Sequence, residues 1–221
     1  MRSQFQKLMS DLHIGLIEMS ALCEDAIACA TKALIDDDDY LREKAISLES
    51  EINLREHELE QLCVRLILHQ QPIAGDLRLI TAAQGMITDL ERIGDQAQDI
   101  AELSVFMKGS AVKSDVHISD MAKASVKMVT ESIDSYVNLD LDKAKKVVEF
   151  DDIIDNLFYE VKKEIIEMLT RNSSLASDCL DLLMIAKYLE RIGDHAENIA
   201  QWVLYAITGS REIENGGALP K

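Results

Sequence analysis

Carboxylates recur at every fourth position in two segments of the chain, a spacing that suits cation binding. These positions are Glu91, Asp95 and Asp99 in one segment, and Glu190, Asp194 and the amide Asn198 in the other. A spacing of four places the side chains along one stripe of a helix, where like charges cost about 0.2–0.5 kcal/mol per pair. Oxygen ligands suit hard cations such as Mg²⁺, Ca²⁺, Mn²⁺ and oxygen-liganded iron, so each stripe is a candidate metal site.

More oxygen ligands lie on the helix that precedes each stripe. They are Glu49 and Asn53 in the first half, and Asp151 and Asp155 in the second. At about 100° per residue, both sets fall beside the apolar face of their helix, so each stripe faces outward or along a groove. If the two helices of a half are neighbours, four or five oxygens converge. An acidic stripe that only keeps the protein soluble is an equally open interpretation.

Three other residues beside the stripes could contribute charge or a nitrogen ligand. Arg92 and Arg191 each follow the first acid of a stripe, and we expect them to form structural ion pairs with acids on an adjacent helix. His195 lies inside the second stripe. Because its counterpart in the first half is Gln96, we expect a solvated histidine and not a metal ligand.

The apolar periodicity predicts six helices that would position these residues. Their expected spans are about 3–35, a second helix ending near 69, and then 76–107, 116–137, 141–171 and 174–207. Asp36–Asp39 is expected to form a turn and to cap the second helix. Long helices joined by short loops pack antiparallel, as bundles.

The two halves of the sequence repeat each other. Leu90–Ala101 reads LERIGDQAQDIA and Leu189–Ala200 reads LERIGDHAENIA, identical at nine of twelve positions and 99 residues apart. We therefore predict an all-α fold of two tandem, pseudo-symmetric antiparallel three-helix bundles. The predicted domains are 1–110 and 111–221, with a loose tail from about residue 209.

Net charge and composition limit which partners the protein is expected to bind and where in the cell it is expected to act. The net charge is −17, and no basic stripe is present, which argues against nucleic-acid binding and against direct binding to anionic membranes. We expect membrane contact only through protein partners. No apolar run approaches the roughly 18 residues of a membrane span, and the four cysteines form no metal-ligand pattern. A cytoplasmic protein with buried thiols is expected.

An enzyme is not expected, because we find no nucleophile–base pair, phosphate loop or dinucleotide motif. A carboxylate-bridged di-metal enzyme would use inward Glu-x-x-His pairs, and none occurs in the sequence. A carboxylate-liganded metal-binding or metal-storage protein is the remaining alternative to a regulator that acts by protein contacts.

The doubled LERIGD block, each copy followed by the stripe and an Ile-Ala pair, resembles the PhoU family. The Asp76–Arg78 segment, DLR, and the order of the helices extend the resemblance over essentially the whole chain. The resemblance implies two symmetric three-helix bundles in a cytoplasmic protein that is often a homodimer. It also implies a negative regulator that links the phosphate ABC transporter and its ATPase to a sensor histidine kinase.

Some members of that family carry multinuclear iron or zinc clusters on surface Glu-x-x-x-Asp motifs. By resemblance, the ligands here would be Glu49, Glu91, Asp95 and Asp99 in the first half, and Asp151, Asp155, Glu190 and Asp194 in the second. The chain departs from an all-acid pattern at Asn53 and Asn198, whose amide oxygens are neutral and weaker ligands.

Overall fold

The computed structural model describes residues 2–70, 72–110, 112–114 and 117–210 of the chain. Its six long helices are α1 (Arg2–Asp36), α2 (Asp39–Gln70), α3 (Ala74–Ser104), α4 (Ile118–Val137), α5 (Leu141–Arg171) and α6 (Ala176–Thr208). Short 3₁₀ turns at Val112–Ser114 and Ser173–Leu175 precede α4 and α6. Within the described residues, no helix combines the length and apolar character needed to cross a bilayer.

The helices form the two predicted three-helix bundles. Helices α1, α2 and α3 pack against one another, and α4, α5 and α6 do the same. The halves meet where α3 packs against α6 and where α1 packs against α4, so one continuous cluster of buried apolar residues fills both bundles. The all-α, pseudo-symmetric fold predicted from the repeat is confirmed. All four cysteines are buried as free thiols, as expected.

The acidic turn between α1 and α2 caps the second helix, as predicted, and also anchors the connection between the halves. The Asp38 carboxylate accepts hydrogen bonds from the backbone N–H groups of Tyr40 (2.9 Å) and Leu41 (3.1 Å). Asp37 accepts one from the Gly109 N–H (3.2 Å) and forms an ion pair with Lys113. These contacts hold the segment that follows α3 against the α1–α2 turn.

Helix bounds differ from the predicted ones mainly after α3. The apolar pattern continues through Val105, Phe106 and Met107, but α3 ends at Ser104. The N–H groups of Phe106 and Met107 bond to Leu103 and Ser104 carbonyls, which is the tighter pattern of a turn. Gly209, with φ +85°, ends α6 at the residue where we expected the tail to begin. Residues 211–221 lie outside the described part of the chain.

Candidate functional site: two acidic grooves

A glycine in each stripe lets the stripe helix approach the preceding helix closely. A Cβ atom on Gly94 of α3 would lie 3.0 Å from Ile52 Cδ1 on α2. In the second half, a Cβ on Gly193 of α6 would lie 2.8 Å from Ile154 Cδ1 on α5. The repeated glycine therefore brings the flanks of the two helices together in each half, and the acids line the resulting grooves.

The same helices are held from behind by a second repeated contact. The Cys23 thiol of α1 donates a hydrogen bond to the Leu90 carbonyl at 3.2 Å. The Ser125 hydroxyl of α4 donates to the Leu189 carbonyl at 3.1 Å. Both carbonyls belong to the residue just before the first acid of a stripe. The start of each stripe is thus fixed by the first helix of its half.

The first groove lies between α2 and α3 and brings together Glu49, Glu56, Glu91 and Asp95. Burial raises the pKa of Glu91, and the charges of Asp95, Glu56 and Glu49 raise it further, against the opposing effect of Arg92. The Glu91 side chain is only 15% exposed. Its Oε2 atom lies 3.3 Å from Arg92 Nε but accepts no hydrogen bond from the described residues. This oxygen is therefore a candidate ligand for a bound cation.

Two of the predicted ligands of this half, Asp99 and Glu49, also interact with residues outside the acidic stripe. Burial raises the pKa of Asp99, the charges of Glu102 and Asp95 raise it further, and Arg191 of α6, across the joint between the halves, lowers it. Asp99 therefore lies toward α6.

Glu49 accepts a hydrogen bond from Asn53, so the amide at the position that departs from the acidic pattern serves as a donor here.

The second groove lies between α5 and α6 and is the more strongly acidic of the two. It brings together the four predicted acids and one further residue: Asp151, Asp155, Glu190, Asp194 and Glu197. Burial, followed by the charges of the other four, raises the pKa of Asp151 to about 7. Its Oδ1 atom is buried and accepts no hydrogen bond from the described residues.

One lysine offsets part of this negative charge. Lys187 forms an ion pair with Glu190, whose side chain is 12% exposed. The pKa of Asp194 is raised by burial, lowered by Lys187 and raised again by Asp155. Among the described residues, the groove therefore holds five carboxylates with Lys187 beside them, an arrangement that a bound cation would stabilise.

Arg92 and His195 differ from what the sequence led us to expect, whereas the charge of Arg191 acts on Asp99 of the neighbouring helix α3. Arg92 pairs with Glu91 and with Asp95 (3.0 Å) on its own helix, so the predicted pairing with an adjacent helix is wrong for Arg92. His195 is not solvated: it is half-buried, and its Nδ1 atom lies 3.0 Å from the Asp89 carboxylate of α3. The histidine thus joins the two halves.

Sequence reasoning missed Glu56 and Glu197. Each lies seven residues after a predicted ligand, Glu49 or Glu190, and so on the same face of its helix. Neither acid is repeated in the other half, where the corresponding residues are Phe158 and Gln98. The i+7 spacing could have indicated both acids, but the internal repeat could not, because neither acid is present in both halves.

The grooves do not form a finished metal site. Among the described residues, no three His, Cys, Asp or Glu side chains are close enough to hold a metal ion as they stand. The donor chemistry nevertheless fits a hard cation, because each groove contains a buried carboxylate oxygen, Glu91 Oε2 or Asp151 Oδ1, that accepts no hydrogen bond within the described part of the chain.

Fold and grooves together define a class of protein: a duplicated three-helix bundle with one acidic groove per half. The family model of the PhoU domain matches the chain twice, at residues 16–104 and 118–203. The chain belongs to the PhoU family.

Relatives and solved structures agree over nearly the whole chain. A phosphate-specific transport system accessory protein PhoU homolog of Clostridium acetobutylicum is 34% identical, covering 95% of this chain and 97% of the relative. One of the same description from Pseudomonas aeruginosa is 32% identical over 94% and 86%. A crystal structure of PhoU from Pseudomonas aeruginosa superposes with a TM-score of 0.87 at 31% identity, covering 93% of this chain and all of the other.

Proposed function

We propose that this protein is an accessory protein of a phosphate transport system that negatively regulates phosphate uptake and the phosphate-starvation response. The observation that carries the proposal is near full-length similarity to relatives named phosphate-specific transport system accessory proteins. A solved relative from Streptococcus pneumoniae, 25% identical with a TM-score of 0.85, is named a phosphate transport system regulatory protein. Those names support a role without catalysis.

In this proposal, the protein acts in the cytoplasm by contact with the phosphate ABC transporter ATPase and with a sensor histidine kinase, and it forms a homodimer. The net charge of −17 supports docking on basic surfaces of such partners. Complementary charge of this kind sets the encounter rate and the choice of partner more than the affinity.

The regulatory proposal is tested by deleting the gene and measuring expression of phosphate-starvation genes in phosphate-rich medium. We expect expression to rise in the deletion strain and to return to the basal level when the wild-type gene is restored. Unchanged expression in the deletion strain would overturn the proposal. Phosphate uptake measured in the same strains separates an effect on the transporter from an effect on the kinase.

A second proposal is that the grooves bind metal, as a multinuclear iron or zinc cluster. Two buried carboxylate oxygens that accept no hydrogen bond from the described residues, and the raised pKa values in both grooves, support it, since a cation would relieve the repulsion among the acids. The second groove would use Asp151, Asp155, Glu190 and Asp194, and the first Glu49, Glu91 and Asp95, with Asp99 at the edge nearest α6. The metal would supply charge neutralisation and a link between helices.

Metal content is measured by mass spectrometry on protein purified without an affinity tag or chelator. We expect near-stoichiometric iron or zinc, lost in the Glu91→Gln/Asp95→Asn and Glu190→Gln/Asp194→Asn variants. The exposed pair Glu160→Gln/Glu167→Gln on α5 is the matched control and should keep its metal. Metal-free wild-type protein would mean that the grooves are a solvated or partner-binding surface. Bound metal with no regulatory phenotype would favour metal storage.

A further inference from the structure

Helices α1 and α4 form an apolar groove on the outer side of the joint between the halves. The two helices run antiparallel: His13 of α1 contacts Tyr136 of α4 edge-to-face at 5.2 Å between ring centroids, and the groove lies toward the other end. Its volume is about 380 Å³. Its lining includes Ile27 and Ile35 of α1.

The lining of this groove is mainly apolar. Ala122 and Val126 line the α4 side, and Ile35 is 39% exposed. Thr31 also lines the groove, but its hydroxyl donates to the Ile27 carbonyl of its own helix at 2.8 Å. Ser119 at the α4 edge is the other hydroxyl in the lining, and the remaining uncharged lining residues are apolar, so the groove offers mainly shape and apolar area.

The charges on the groove are of the opposite sign to the charge of the molecule. Both charged residues in the lining are lysines, Lys32 on α1 and Lys123 on α4, in a chain of net charge −17. Lys123 lies 3.4 Å from Asp120, and both side chains are largely exposed, so this pair holds the lysine only weakly. A partner with acids on either side of an apolar strip would match both helices.

Within each half, the groove between two antiparallel helices is filled by a third helix, since α3 packs on α1 and α2, and α6 packs on α4 and α5. The outer α1–α4 groove is also formed by two antiparallel helices and has the shape to bind a third helix. We propose that it docks an acidic amphipathic helix of a partner protein. Such a helix would place residues i, i+3, i+4 and i+7 in the groove and carboxylates near the two lysines.

Other occupants match less well. A second copy of the chain in a two-fold contact would set the lysines of one groove against those of the other. The groove between α1 and α2 is larger, about 440 Å³, but carries both signs of charge, from Arg55 and Arg65 and from Glu18 and Glu58. Of these two grooves, only the α1–α4 groove carries charge of a single sign, which favours an acidic partner. This inference rests on the proposed role of the protein as a regulator that acts by contact.

The test uses the purified full-length protein and a fluorescein-labelled helical peptide of about 15 residues, with leucines at the i, i+3, i+4 and i+7 positions and glutamates on both flanks. Anisotropy should report binding, with affinity at least about tenfold weaker when lysines replace the glutamates. Ala28→Glu, which puts a carboxylate into the groove, and Lys32→Glu/Lys123→Glu should each weaken binding by about tenfold or more.

Two matched variants control for charge and for helix stability. Ala21→Glu lies seven residues before Ala28, on the same face of α1 but outside the groove lining. Lys162→Glu/Lys163→Glu reverses two exposed lysines on α5. Both should bind the peptide like the wild type, and circular dichroism should show all variants folded.

Several outcomes would overturn the proposal: no binding of the acidic peptide, equal binding of the lysine peptide, or binding that Ala28→Glu does not change. Sedimentation showing that Ala28→Glu dissociates a dimer would instead assign the groove to a second copy. Binding to vesicles containing anionic lipid, lost in Lys32→Glu/Lys123→Glu without any peptide binding, would assign it to a membrane. Because these assays use purified protein, their failure leaves the gene-deletion test of regulation untouched.

Discussion

Asp151 illustrates how a single residue links the acidic grooves to stability. Burial and the charges of Glu197, Asp194, Asp155 and Glu190 raise its pKa to about 7 from an ordinary 3.8. The folded protein therefore holds this proton more tightly than the unfolded chain. The resulting stabilisation is fully present below pH 3.8 and is lost as the pH rises through about 7. In metal-free protein, Asp151 thus opposes folding at alkaline pH.

We predict that Asp151→Asn stabilises the metal-free protein at pH 8. Asparagine keeps the shape and removes the charge. The free energy of unfolding in urea, with a chelator present, should rise by about 1 kcal/mol, a value discounted for solvent screening of a partly exposed group. The gain should shrink as the pH falls from 8 to 5. The exposed neighbour Asp152→Asn is the control, and an equal gain there would contradict the explanation.

The sign of this effect distinguishes an empty groove from a metal-loaded one. If iron or zinc binds in the second groove, Asp151→Asn removes a charged ligand and should lower the thermal stability of the loaded protein while raising that of the metal-free protein. A substitution that stabilises both forms equally would place the metal, if any is bound, away from Asp151.

Candidate residues could be predicted from the sequence only where a pattern marked them. Glu91 and Glu190 stood out because the block around them is repeated, and the structure places both in grooves. Whether they bind metal stays a prediction. The contact of His195 with Asp89 could not be predicted, because it depends on how α3 packs against α6, and the counterparts of this pair, Gln96 and Tyr188, have other chemistry.

At the scale of the helices, Gly85 of α3 lies directly against the Trp202 indole of α6, at the contact between the two halves. A Cβ atom at this position would lie 2.0 Å from Cε2 and 2.3 Å from Nε1 of the Trp202 indole on α6. A rigid ring cannot move aside as the end of a flexible side chain can. The glycine therefore leaves the space that the Trp202 indole occupies against α3.

We predict that Gly85→Ala destabilises the protein by about 1–3 kcal/mol, the usual cost of overpacking a core, despite the better helix propensity of alanine. Urea unfolding measures the loss, and Trp202, the one tryptophan of the chain, should report a changed environment by fluorescence. Gly75→Ala on the same helix is the control, because nothing lies within 4 Å of its added Cβ. Destabilisation of both variants alike would remove Trp202 from the explanation.

Helix positions were predictable because the apolar spacing and the turn residues agreed. The predicted span of α5, Leu141–Arg171, is the observed one. The end of α3 was not predictable, since Met107 extends the apolar pattern while its N–H bonds to Ser104 in a turn. Met107 is buried nonetheless, so the pattern indicated burial correctly and the type of backbone incorrectly.

At the scale of the molecule, the two halves are joined by two helix pairs, α3 with α6 and α1 with α4, and by polar contacts such as His195 with Asp89. Buried residues form one cluster that runs through both bundles. A half taken alone would expose the apolar residues of these joints to water, at roughly 25 cal/mol per Å² of apolar surface. Each half therefore depends on the other for part of its stability.

We predict that the full chain unfolds in one cooperative transition, even though the sequence repeat predicts two domains. Circular dichroism, which averages over all helices, and the fluorescence of Trp202, at the α3–α6 joint, should give the same urea midpoint. The separate fragments 1–110 and 111–221 should be much less stable or should associate with each other when mixed. Two separate transitions, or fragments as stable as the whole, would show that the repeats are independent domains whose contact contributes little to folding.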